Sequence, residues 1–205
     1  MSEPIVILGA GGHGRVIADA VRARGGDFLG FLDDRKQAAT GLPVLGRITQ
    51  AEDFARRALF IIGVGDNAAR AALADRFAGI LRFAVAVHPG AVLAPDVVLG
   101  EGTVVMPGAV LNTGTVVGKH CIVNTAATAD HDCVLEDFVH LSPGAHLAGE
   151  IRVGARGWVG AGAVVVNGAR LCADCRIGAG GVVIHGLTQP GTYVGVPVRR
   201  LEPKA

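Results

Sequence analysis

Two unlike halves, a small α/β domain and then a repetitive β-solenoid, are predicted for this chain by three observations. From Ala91 to Gly186 the sequence divides into sixteen consecutive six-residue units without insertion, and the third residue is Leu, Val or Ile in fifteen of them, Ala129 being the exception. Ahead of that stretch, short apolar runs alternate with helical segments, and the first run ends in the glycine-rich loop Gly9-Ala-Gly-Gly-His-Gly14. The pattern switches near His88-Pro89, which divides the chain into residues 1–87 and 88–205.

In the first part, Ile5 to Leu8 reads as a strand and Arg15 to Arg24 as a helix. Phe28 to Leu32 is a second strand, ending at Asp33-Asp34, and Leu59 to Ile62 a third. Thr49-Gln-Ala-Glu52 has the form of a capping box opening a short helix, and Asp66 or Asn67 suits the cap of a helix running to Phe77. Phe83 to Val87 is expected to close the domain as a further strand. Strand and helix in alternation predict a parallel sheet covered on both faces, a small Rossmann-like domain. Gly9, Gly11 and Gly14 form a G-x-G-x-x-G, which lets a backbone approach phosphate at a helix N-terminus, and Asp33 lies where a ribose-binding acid would. The domain is short for a dinucleotide, and the glycines equally suit a tight strand-to-helix turn.

In the second part, each unit reads small, variable, aliphatic, then Gly-rich and polar: a short strand and a turn. At a strand's period of two, the first and third residues point inward together, and three such sides close a triangular coil of eighteen residues. A strict short period means that each unit buries its aliphatic residue only by stacking on its neighbours. The second residue of each unit should face outward, yet Val92, Val98, Val104, Val110, Val116, Ile122, Val134, Val164 and Val182 stand there, with Trp158 as a tenth apolar residue. A contiguous apolar surface of this kind predicts a homo-oligomer.

Composition narrows the classes of function. The 31 Gly and 18% charged residues suit a tightly turning repeat, and a net charge of +1 gives no electrostatic case for nucleic acid or an anionic membrane. Gly9 to Gly14 interrupts the N-terminal apolar run, so no leader peptide is expected. Ile177 to Val198 carry no formal charge, but their glycines, Pro190, Pro197 and repeat periodicity argue against a membrane span. The expectation is a cytoplasmic protein acting on small molecules. Cys121, Cys133 and Cys175 occupy the small inward position of their units and Cys172 a turn, which favours buried thiols over a metal site.

At this point the chain resembles the hexapeptide-repeat acyltransferases, which implies that the coil is a left-handed parallel β-helix. The order of GAGGHG, LDD at Leu32 to Asp34, GVGDN at Gly63 to Asn67, HPGA at His88 to Ala91, the hexads and Gly195-Val-Pro-Val198 resembles, over essentially the whole chain, the sugar acetyltransferases of the bacillosamine and sialic acid pathways. That resemblance implies a homotrimer that uses acetyl-CoA and a nucleotide sugar, with Gly11, Gly12, His13, Asp33, Asp34 and Gly65 on the nucleotide sugar. Gly11 stands where a Ser can occur, and Val198 where Ala is usual.

The unit Ala127-Thr-Ala-Asp-His-Asp132 is the odd one of the repeat and gathers Asp130, His131 and Asp132 at a corner. Acyl transfer needs a base for the attacking group and a donor for the oxyanion, and His suits the first near neutral pH. His131 matches the family's catalytic base, Asp132 the acid that raises its basicity, and His140 and Ala161 contacts to acetyl-CoA. Gly149 lies eighteen residues after His131, about 4.8 Å away along the same corner at strand spacing. A bare glycine there leaves room for a thioester, and the family uses its N–H on the oxyanion. His140, half a coil from His131, sits across the triangle at about 15 Å and joins it only from a neighbouring subunit. Arg199 and Arg200 are candidates for a CoA phosphate.

The resemblance favours N-acetylation of the 4-amino group of a UDP-linked 4-amino-4,6-dideoxy sugar. O-acetylation of a sialic acid and N-acetylation of GDP-perosamine stay open, as does a non-catalytic sugar-nucleotide sensor. A zinc hydratase of the γ-carbonic-anhydrase type shares the helix. Its stacked histidine ligands would recur at the coil length, and no two of His120, His131, His140, His146 and His185 are eighteen residues apart.

Overall fold

The computed structural model describes residues 3–35 and 41–202. In the first part, β1 (Ile5–Leu8), β2 (Phe28–Leu32), β3 (Val44–Gly46) and β4 (Leu59–Ile62) form a parallel sheet in the order β3-β2-β1-β4. The helices are α1 (Gly12–Ala23) and α2 (Asn67–Arg76). Three strands and both helices follow the sequence reading; β3, which follows Pro43 directly, is three residues long and paired with a register shift, too short for a period to show. Asp66 is the cap of α2, its carboxylate accepting the Ala69 N–H at 2.9 Å. The short helix at Ile48–Phe54 is 3₁₀, and its start is fixed two residues earlier than expected, by Arg47 N–H donating to Gln50 Oε1 at 2.9 Å. Phe83 to Val87 do not form one strand. Phe83 bridges to Phe60 beside β4, whereas Ala86–Val87 pairs with Val104–Val105 and so belongs to the solenoid.

The solenoid is a left-handed parallel β-helix. Val116 pairs with Val134 and Ile122 with His140, an eighteen-residue register repeated throughout. Third-position side chains stack into one core from Val105 to Val183. Polar first positions are satisfied inside it: Thr103 Oγ1 donates to Gly118 O at 2.7 Å, Cys121 Sγ to Glu136 O and Cys133 Sγ to Ala148 O, both at 3.1 Å.

The three faces of the triangle differ in what covers them. The face carrying Val104, Ile122, His140, Trp158 and Arg176 turns toward the first part of the chain. Val104 and Ile122 are 3% and 1% exposed there, packed with Ile17, Val21 and Phe31. Those two of the nine outward residues therefore serve the seam within one protomer rather than an oligomer contact, each worth roughly 1.5–3 kcal/mol. The other faces are uncovered. One carries Val98, Val116 and Val134, the other Val92, Val110, Val164 and Val182, with Val92 61% and Val98 56% exposed.

Polar contacts lock the seam. Arg70 of α2 is fully buried and spends all five donors: Nε on His120 O (2.7 Å), Nη1 on Val64 O and Gly65 O (both 3.1 Å), Nη2 on Asn67 Oδ1 and Phe138 O (both 2.8 Å). Asn67 Nδ2 in turn donates to Arg156 O and Gly157 O at 2.9 and 3.1 Å. The loop ahead of α2 is thereby riveted to successive coils.

Candidate active site

His131 occupies the corner between the two uncovered faces, after Thr128–Ala129 and before Val134–Leu135. Its imidazole is partly exposed. Nδ1 lies 2.9 Å from Asp132 Oδ2, and the backbone N–H donates to Asp130 Oδ1 at 2.8 Å. Asn112 Nδ2 holds that same Asp130 oxygen at 2.8 Å. The hydrogen bond to Asp132 raises the His131 pKa above the ordinary imidazole value, helped by the charges of Asp130, Asp132 and Glu150. With Nδ1–H donating to the carboxylate, the Nε2 lone pair is left to accept a proton.

That lone pair faces Gly149. A Cβ added to Gly149 would lie 2.4 Å from His131 Nε2 and 2.9 Å from Asn167 Oδ1, so only glycine leaves the imidazole its place. The fifth residue of a unit turns its N–H away from the ladder. Lys119 gives its N–H to Asp137 Oδ1 and Ala155 to Glu136 Oε2, whereas those of Gly149 and Ala161 have no acceptor among the described residues. A bare, unspent amide beside an imidazole nitrogen is an arrangement that suits an oxyanion.

The second set of residues lies at the other side of the molecule. Gly9 to His13, Asp33 to Arg35, Ile48 and Gly63 to Gly65 line a cavity of about 480 Å³. It includes Gly11, Gly12, His13, Asp33, Asp34 and Gly65, all anticipated for the nucleotide sugar. Gly14 is required by packing, since a Cβ there would meet Gly9 O at 2.0 Å, while Gly11 and Gly12 are open toward the cavity. The start of α1 carries no acidic residue in its first turn, leaving its N–H groups to an anion. Asp33 is a loop builder as much as a ligand: its two oxygens accept the Ala10 and Arg35 N–H groups, both at 2.7 Å. Asp34 Oδ1 accepts the Ile48 N–H at 3.1 Å.

His140 belongs to this second set within one protomer. Its ring centroid is 6.3 Å from that of His13 and 4.9 Å from that of Trp158, on which it stacks. Asn124 Nδ2 donates to Nε2 at 3.2 Å, and Asn124 Oδ1 is fixed by the Thr125 N–H at 2.8 Å, so the His140 proton rides on Nδ1. Among the described residues, Nδ1 and His13 Nε2 are both buried without a well-formed hydrogen bond. Burial, with the Arg70 charge second, pulls the pKa of His140 down to about 3 and that of His13 to about 4. Sequence reasoning missed Arg70, which carries no motif, the bonds by which Asn67, read only as a cap candidate and as part of GVGDN, reaches the solenoid, and the stack of His140, Trp158 and Arg176, which is visible as positions eighteen residues apart. Arg200 is taken by Gln189 Oε1 and Pro190 O, both at 2.9 Å. Among the described residues no three His, Cys, Asp or Glu side chains gather as a metal site, and no helix is long and apolar enough to cross a membrane.

A corner histidine backed by an acid, facing a bare glycine amide on a left-handed coil of hexads, defines a hexapeptide-repeat acyltransferase. Residues 4–77 match the PglD N-terminal domain family. Over its full length the chain is similar to the acetyltransferase domain of PglB from Neisseria gonorrhoeae, solved alone and with acetyl coenzyme A, at 36% identity, 98% and 100% of the two chains covered and a TM-score of 0.93. Perosamine N-acetyltransferase from Caulobacter crescentus, solved with CoA and GDP-perosamine, is 34% identical with 99% of each chain covered and a TM-score of 0.94. UDP-N-acetylbacillosamine N-acetyltransferase of Bacillus subtilis is 38% identical over 104 residues, 46% of this chain and 47% of that protein, so this match spans about half the curated relative's length. The chain belongs to this family of sugar acetyltransferases.

Proposed function

We propose that the protein transfers the acetyl group of acetyl-CoA to the 4-amino group of a 4-amino-4,6-dideoxy sugar carried on a nucleoside diphosphate. The observation that carries this reading is the stacking of Gly149 on His131. As the amine attacks the thioester carbonyl, His131 Nε2 takes its proton, Asp132 stabilises the imidazolium, and Gly149 N–H receives the negative charge on the former carbonyl oxygen. Collapse breaks the C–S bond, and the CoA thiolate recovers the proton from His131. The acceptor is held by its phosphates at the start of α1 and by Gly11, Gly12, His13, Asp34 and Gly65; His140 and the Ala161 N–H serve acetyl-CoA.

His131 stands at the corner opposite the face that the first part of the chain covers, and the nucleotide cavity is lined by that first part alone, so in this reading a sugar bound in one protomer meets the His131 of another. A cytoplasmic homotrimer that sets the His131 corner of each protomer against the cavity side of its neighbour supplies it, with the apolar residues of the uncovered faces, Val98, Val116, Val134, Val92 and Val110, available for the contact. In this reading residues 1–87 bind the nucleotide sugar and 88–205 carry the transfer. Release of free CoA measured with UDP- and GDP-linked 4-amino sugars tests the activity and names the nucleotide; no release with either, while CMP-sialic acid is acetylated, rejects it. Val116→Arg is expected to yield smaller species in light scattering and to lose activity in step; a fully active monomer overturns the shared site.

A further inference from the structure

One pair of nucleophiles lies outside everything described so far. Cys172 and Cys175 hold their sulfurs 3.2 Å apart in a C-x-x-C that spans the corner between Arg170–Leu171 and Cys175–Ile177. The repeat accounts for only one of them. Cys175 is the inward first residue of its unit, like Cys121 and Cys133, and its thiol reaches Gln189 O at 3.3 Å as theirs reach Glu136 O and Ala148 O. Cys172 stands at the fourth position, where Gly154, Gly160 and Gly178 occur in nearby units, and nothing in the repeat asks for a sulfur there. It is half-buried, and the other three are buried.

We infer that Cys172 and Cys175 are a redox-active dithiol that closes to an intramolecular disulfide by exchange with a low-molecular-weight disulfide. Of the pair, only Cys172 combines access from solvent with a second sulfur in contact. Its thiolate attacks one sulfur of the oxidant, forming a mixed disulfide and expelling one thiolate. The Cys175 thiolate then attacks the Cys172 sulfur and expels the second, so two protein thiols are oxidised and one external disulfide is reduced to two thiols. Closing the gap to a bond length of about 2.05 Å moves the sulfurs by little more than 1 Å. Cys121 and Cys133 are internal controls: burial raises their thiols as it raises that of Cys175, but neither has a sulfur neighbour, so the contact between sulfurs is what sets the pair apart.

The closure reaches the end of the solenoid. The carbonyl of Gln189 that takes the Cys175 thiol also accepts Tyr193 Oη at 2.8 Å, and the Gln189 side chain anchors Arg200 at 2.9 Å. Oxidation withdraws the thiol hydrogen from this junction, which roots the strands Gly191–Gly195 and Val198–Arg200.

Native protein incubated with glutathione disulfide and analysed by intact mass is expected to lose two hydrogens, and peptide mapping to join Cys172 to Cys175 while Cys121 and Cys133 remain alkylatable after unfolding. Cys175→Ala is expected to stop at one glutathione adduct on Cys172, and Cys172→Ser to show no change. Four free thiols retained by native protein, in a buffer that oxidises the unfolded chain, overturn the assignment. So does a bond that joins any other pair or two subunits. Neither outcome depends on the sugar or on acetyl-CoA.

Discussion

Half a coil separates His131 from His140, and the two imidazoles live in opposite electrostatic settings. His131 stands at an open corner, bonded to Asp132 among further acids, and its pKa is raised. His140 is buried against Trp158 and His13 with Arg70 nearby, and its pKa falls to about 3. The same side chain on the same fold is thus a proton acceptor in one place and a neutral hydrogen-bonding group in the other. What decides is the neighbour: a carboxylate with solvent in the first case, apolar surface and a guanidinium in the second. The proposed chemistry needs one of each.

The comparison breaks most readily at His131. His131→Ala is expected to lower kcat by about 10²- to 10⁴-fold, the usual worth of a general base. Steady-state kinetics decide it, and a variant keeping more than half the wild-type kcat removes His131 from the mechanism. Gly149→Ala comes next. Its Cβ would occupy the space of His131 Nε2, so a fall on the order of 10²-fold is expected from displacing the imidazole by about 1 Å. Thermal stability should fall far less than activity, because the atoms that a Cβ at the buried Gly149 would meet are the far ends of the His131 and Asn167 side chains rather than backbone.

His140 sharpens the contrast through stability. Its pKa is depressed on folding, so below the ordinary imidazole pKa the unfolded chain binds more protons, and stability is lost as pH falls from about 6.5 toward the folded value. His13 and His120, also depressed to about 4, add to the same trend, so His140→Gln is expected to shrink the stability difference between urea titrations at pH 7 and pH 5 by on the order of 2 kcal/mol rather than to remove it. His131 has the opposite sign: whatever it adds to stability is present at low pH and disappears as pH rises through its raised pKa. The smallest effect is that of Asp132→Asn, expected to cost less than about tenfold in kcat, since it tunes the base without removing it. The acid limb of the pH–rate profile should move to lower pH, and an unshifted limb means that Asp132 does not set the His131 pKa.

Repeat arithmetic made much of this site readable in advance. The eighteen-residue coil follows from the period, so Gly149 could be placed over His131 without coordinates, and both histidines fall where the count puts them. The glycine loop, Asp33 and Gly65 likewise converge on one cavity. The seam stayed hidden, because which triangle face a second domain covers is a tertiary matter that no period encodes. Val104 and Ile122 look like their counterparts Val98 and Val116 in sequence, yet the first pair is buried and the second exposed. Arg70 was invisible for a related reason. An arginine in an alanine-rich helix reads as a solvated charge, and only the carbonyls of His120 and Phe138 arriving from separate coils turn it into a clamp.

The last strands of the seam face carry a consequence for colloidal behaviour. A parallel stack offers at its rim the same unpaired amides and carbonyls that joined its own coils, so copies could grow end to end without limit. Here Gly191–Gly195 continues the parallel order, but Val198–Arg200 folds back antiparallel upon it. Tyr193 and Val198 close over the core, while Arg199 and Arg200 stay exposed on the outermost strand. A reversed strand bearing two positive charges is a poor template for a further coil, and the hairpin guards that rim against fibre formation.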